Sequence, residues 1–166
     1  MPGSIVAPST SLLVGLLTAA AVAGCQGPGS TPSVPPAPEG FPFATAGPDC
    51  APWDGPAVTI LLSDRRGPDT AGIMESARPL LRVALYPRGA GVAGQQFHWP
   101  ADPEMAAGLR CPAAGDCEAA TDGEVILLPG PTDSVLEGSL RLHFSDGTTI
   151  AGGFHAPWHP RRILCG

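Results

Sequence analysis

Apolar residues recur at every second position in several short runs of this chain. In 57–63, Val58, Ile60 and Leu62 alternate with Thr59 and Leu61; in 81–86, Leu81, Val83 and Leu85 alternate with Arg82, Ala84 and Tyr86. Gln95, Phe97 and Trp99 alternate with Gln96 and His98. A period of two is that of a half-buried strand, and glycine or proline closes each run before a helix could establish itself. A weaker strand candidate covers 106–111, and 124–128 is a short apolar run closed by Pro129-Gly130-Pro131. Only 70–77 is expected to hold a helical turn, kept short by Gly72 and Pro79.

The best-specified element is a hairpin of 136–144 and 148–156. A two-residue Asp146-Gly147 loop would set Ile150 opposite His143, an apolar residue against a polar face. A three-residue loop, Ser145-Asp146-Gly147, sets Leu142 opposite Ile150, Leu140 opposite Gly152 and Gly138 opposite Phe154. That register keeps the apolar set on one side and puts Gly147 where a turn with a bulge needs a left-handed residue. It also lets the Phe154 ring cover the bare backbone of Gly138. Together these runs predict an all-β domain, an antiparallel sandwich or small barrel of about six or seven short strands.

The first third of the chain is patterned differently. Residues 11–23 hold Leu12, Leu13, Val14, Leu16, Leu17 and Val22 without a charge. About a dozen apolar residues suit the apolar region of a signal peptide and fall short of the roughly 20 that span a bilayer. Residues 26–48 carry Pro28, Pro32, Pro35, Pro36, Pro38, Pro42 and Pro48 among small residues, which predicts an extended tether. At about 3.1 Å per residue its reach is at most roughly 70 Å.

Between these two stretches, Val22-Ala23-Gly24-Cys25 resembles the lipobox of bacterial lipoproteins. The resemblance implies a diacylglyceryl group on the Cys25 thiol, cleavage before Cys25, and anchoring on the outer side of a membrane. It divides the chain into a signal peptide at 1–24, a lipidated cysteine and tether at 25–48, and a β domain at 49–166. Gln26, where an aspartate would favour inner-membrane retention, implies an outer membrane if the organism has one. The chain departs from the family pattern in having no lysine or arginine before Arg65.

With Cys25 lipidated, Cys50, Cys111, Cys117 and Cys165 remain, an even set that reads as two disulfides in an exported domain. Three connectivities are open; Cys50–Cys165 with Cys111–Cys117 is favoured, tying the domain's ends and stapling one short loop. The net charge is −6, and all nine basic residues are arginines. Nucleic acid is excluded as an expected partner because no basic face is visible.

Several motifs invite chemistry and fail on context. Gly89-Ala90-Gly91-Val92-Ala93-Gly94 fits a dinucleotide fingerprint, but a strand-like run broken by Pro100 follows it where a helix is needed. It reads as a hairpin or bulge turn. Thr121-Asp122-Gly123-Glu124 has a capping-box pattern and reads as the start of a strand. His155 and His159 have the spacing of two ligands on a helix, which Pro157 and Pro160 forbid. His155 is instead expected to pair with Glu137 across the hairpin.

Asp102 with Glu104, and Asp116 with Glu118, read as solvated turns, and Arg65-Arg66 as an ordinary charged hairpin tip, the alternative being an anion contact. No cofactor, metal site or catalytic constellation is expected. Ala-Pro-Trp occurs twice, at 51–53 and 156–158, and both tryptophans are expected to plug the core beside Cys50–Cys165. The alternative is a stacking platform for a small ligand formed from Trp53, Trp99 and Trp158. The functional expectation is therefore a non-catalytic, lipid-anchored envelope module meeting an unidentified envelope protein. The alternative is a binder of a small sugar, peptide or lipid.

Overall fold

The computed structural model describes residues 33–67, 70, 73–74, 77–87, 91–100, 106–130 and 134–165. Among the described residues nine strands follow one another: β1 (Phe43–Cys50), β2 (Pro56–Ser63), β3 (Leu80–Leu85), β4 (Gln96–Trp99), β5 (Ala106–Ala113), β6 (Asp116–Ala119), β7 (Asp122–Leu127), β8 (Val135–His143) and β9 (Thr149–Pro157). They form a five-stranded sheet, β1-β2-β3-β5-β6, and a four-stranded sheet, β4-β7-β8-β9, with antiparallel pairing throughout. The described fold is all-β and consistent with a sandwich rather than a closed barrel.

The two-residue period decides which side chains meet between the sheets. Val58, Ile60 and Leu62 of β2 and Leu81, Val83 and Leu85 of β3 face Phe97, Val125, Leu127, Leu136 and Leu142 of the second sheet in one core. A smaller cluster of Leu61, Ile73, Ala77, Leu80 and Cys111 lies on the other face of the first sheet. Thr70, Ile73 and Met74 are helical, and the Ala77 amide donates to the Ile73 carbonyl at 2.9 Å.

The last hairpin has the expected register: Leu142 opposite Ile150, Leu140 opposite Gly152, Gly138 opposite Phe154. Gly147 has φ of +83°, and its amide donates to the Phe144 carbonyl at 3.0 Å. A Cβ on Gly138 would lie 2.9 Å from the Phe154 ring, which covers that backbone as anticipated. The chain crosses between sheets at Ala120-Thr121, where Ala120 donates to Gly108 of β5 and Thr121 to His143 of β8. At the opposite margin Ala46 bridges Trp158 in parallel, and the His159 amide donates to the Ala46 carbonyl at 2.8 Å.

Four expectations are corrected. The tether was expected to run to residue 48, yet β1 begins at Phe43, and Phe41 is buried in the core. Proline content argued against a strand, but β1 is an edge strand on the side of residue 48. Pro48 turns its carbonyl away from β2, toward Arg161, so its missing N–H costs no ladder bond. Ahead of the strand, the Gly153 amide donates to the Pro36 carbonyl at 2.6 Å, and a Cβ on Gly153 would fall on the Pro35 carbonyl oxygen. Only glycine lets the proline segment approach the β9 edge so closely.

The second correction concerns the described part of the glycine-rich stretch, with Gly91 and Gly94 at positive φ. It links β3 of one sheet to β4 of the other, so it is no hairpin. Third, residues 116–119 form β6, an exposed edge strand, where a solvated turn was expected. Asp102 and Glu104 lie outside the described residues. Fourth, Trp53 does not plug the core. Its tight turn, with Ala51 donating to Gly55 at 2.8 Å and Asp54 at φ +63°, leaves the ring 54% exposed.

Candidate functional site

Cys25, the expected lipidation site, lies outside the described residues. Cys50 is bonded to Cys165 and Cys111 to Cys117, with Cα–Cα distances of 5.6 and 4.1 Å. The three tryptophans do not line one pocket. Trp99 is buried between the sheets, its ring against Gly108 and Gly123, and Trp158 is half-buried at the β1–β9 margin. Trp53 meets Tyr86 edge-on with ring centroids 5.0 Å apart. Among the described residues no three His, Cys, Asp or Glu side chains gather as a metal site would require.

Two polar clusters that the sequence pattern missed organise the first sheet. On its outer face the Asp49 carboxylate accepts from Thr59, from Arg82 Nη2 at 2.9 Å and from the Cys50 amide at 2.9 Å. Burial works to raise this carboxyl, but the hydrogen bonds outweigh it and hold it below the ordinary aspartate range. The group bonds β1 to β3 across β2, a register no linear motif encodes.

The second cluster ties the β8–β9 tip to β5 and β6. Arg110 sits 4.3 Å over the Phe144 ring, donates from Nε to Glu118 at 3.0 Å and from Nη2 to Asp146 at 2.7 Å. Ser145 closes the ring of contacts on Glu118 at 2.6 Å. Arg110 and the Thr148 amide hold Asp146 down at about 2, while Ser145 and then Arg110 lower Glu118.

A carboxyl lowered by folding stabilises the fold above its unfolded value and loses that contribution as pH falls through its folded value. Urea midpoints are therefore expected to hold above about pH 4 and to drop progressively toward pH 2. Asp146→Asn should blunt the drop at its acid end. A drop of unchanged size in that variant would show that Asp146 has no part in it.

The histidines are separate. His143 Nδ1 meets Thr149 Oγ1 at 2.8 Å, and His155 Nδ1 meets Glu137 Oε1 at 2.6 Å, the cross-strand pair expected. An open trough of about 530 Å3 crosses the outer face of the second sheet between Pro36 and Arg141. Its lining mixes Ile126 with Ser139 and Ala151, and Glu124 there accepts from Gln96 at 2.6 Å.

The strongest concentration of unusual exposed groups lies along the margin of β1, where the tail after β9 runs beside the strand. A cleft of about 370 Å3 is lined there by Phe43, Thr45, Arg66, His155, Pro157 and His159 among others. Its described lining contains no acid. Arg66 stands 5.1 Å over the Phe43 ring, whereas Arg65 pairs with Asp64 at 3.0 Å. Farther along, Arg161 Nε donates to the Pro48 carbonyl at 3.3 Å, and Arg162 is exposed. The margin ends at the Cys50–Cys165 bridge, beside which Leu164 is 82% exposed. Such a surface can hold anions and apolar groups side by side. Comparison of the chain with family models, with curated proteins and with solved structures gave no match to any of them.

Proposed function

We propose that the chain is an exported, lipid-anchored, non-catalytic module of the cell envelope, whose β sandwich acts through its outer surface. One observation carries the reading. Four of the five cysteines are taken up in two disulfides, and the fifth is the cysteine of Val22-Ala23-Gly24-Cys25. Paired cysteines of this kind belong to oxidising compartments, and the motif supplies a use for the remaining thiol. The filled interior, with Ile60, Leu62, Leu81 and Leu142 at 0% exposure, supports action through surface contacts rather than through an internal chamber.

Intact mass of the membrane-extracted protein tests the anchor. A mature chain beginning at Cys25 with added acyl mass is expected. A full-length, unmodified chain recovered in the soluble fraction would overturn the reading.

A further inference from the structure

We infer that the margin of β1, together with the tail after β9 that runs along it, is a membrane-docking face whose partner is the headgroup layer of an anionic phospholipid bilayer. The inference rests on the lipid-anchored reading above and adds which side of the domain meets the bilayer.

Three observations converge on this strand. First, Arg66, His159 and Arg161 follow its length, brought there by two separate stretches of chain, and Arg162 beside Arg161 is exposed. In a chain of net charge −6 this is a locally basic line. The one acid on the strand, Asp49, is occupied by Thr59, Arg82 and the Cys50 amide. Glu137, at the cleft's edge, is held by His155.

Second, Leu164 at 82% and Trp53 at 54% are the two most exposed large apolar side chains described. They flank the same disulfide, three residues after Cys50 and one before Cys165. An exposed tryptophan and leucine beside arginines is the composition of an interfacial surface. The ring settles at headgroup depth while guanidinium groups meet phosphates. An acidic protein partner would use the arginines but gives no reason for Leu164 and Trp53 to stand out.

Third, Val34 and Pro35 share a pocket with Phe43, Ala44 and His155, so the proline segment joins the domain at the Phe43 end of the margin. Eight residue steps separate Ser33 from Cys25, which span at most roughly 28 Å. An anchor on that leash holds this face near the bilayer.

The test is fluorescence quenching of the full chain in vesicles of phosphatidylglycerol containing brominated lipid. Trp53 emission is expected to be quenched, and Trp53→Phe to remove the quenched component while Trp99 and Trp158 persist. Each arginine beside an anionic surface contributes about fivefold. Reversal by Arg161→Glu with Arg162→Glu is therefore expected to cut the ratio of docked to undocked chain roughly 30-fold or more. Equal quenching in phosphatidylcholine vesicles, or none in either, overturns the inference. So does capture by an acidic protein without quenching in vesicles. The mass at Cys25, read on the same preparation, separates the two readings. An acylated chain without quenching keeps the anchor and sinks the face; an unacylated chain with lipid-dependent quenching does the reverse.

Discussion

Replacing Cys50 and Cys165 together by serine is expected to cost about 2–5 kcal/mol of unfolding free energy. The two cysteines are 115 residues apart in sequence, so the cross-link restrains nearly the whole domain's unfolded chain. Chain entropy puts the ceiling near 5 kcal/mol for a loop of that size and near 2.5 kcal/mol for the short loop closed by Cys111–Cys117. Denaturant unfolding of the two double variants, with the other bridge intact in each, checks the ordering. If the Cys50/Cys165 variant loses no more than the Cys111/Cys117 variant, loop length is not what governs these bridges.

Phe97→Ala is expected to cost about 3–5 kcal/mol. Phe97 lies in the four-residue strand β4, 1% exposed, with Gln96 and His98 facing solvent on either side. Removing the ring leaves a void in the core between the sheets. Ile126→Ala on the outer face of the same sheet, where Ile126 is 38% exposed, should cost less than about 1 kcal/mol. Urea midpoints of both variants decide it. Equal losses would mean that β4 lies outside the core it is argued to complete.

The parts of this fold that the sequence makes legible are those where one face is apolar and the turn chemistry is restrictive. The β8–β9 hairpin can be read residue by residue because a loop one residue shorter would set Ile150 against polar His143, and Gly147 pins the loop. Setting Cys25 aside leaves four cysteines and three connectivities, of which the favoured one is the one formed. β1 escapes because its inward residues include Ala44 and Ala46, too small to stand out among prolines and glycines. β6 escapes because its residues are mostly exposed; it is held by Cys117 and by the Glu118–Arg110 contact, neither of which leaves a periodic trace.

The basic margin is less legible still. Arg66 and Arg161 are nearly a hundred residues apart in the chain and reach the same strand because the tail after β9 turns along β1, Arg66 at Phe43 and Arg161 at Pro48. The sequence marks Arg65-Arg66 as a pair, yet the structure separates them: Arg65 turns to Asp64 and Arg66 to Phe43. The tryptophan pairing expected from the repeated Ala-Pro-Trp fails for a similar reason, since one copy lies in a tight turn and the other ends a strand.

The Cys50–Cys165 bond makes nearly the whole domain a covalent ring. One peptide bond cut anywhere between those two positions opens the ring without dividing the molecule. A single encounter with a protease in an exposed loop therefore sheds nothing: both fragments, and whatever is attached ahead of residue 50, remain one body until the sulfurs are reduced.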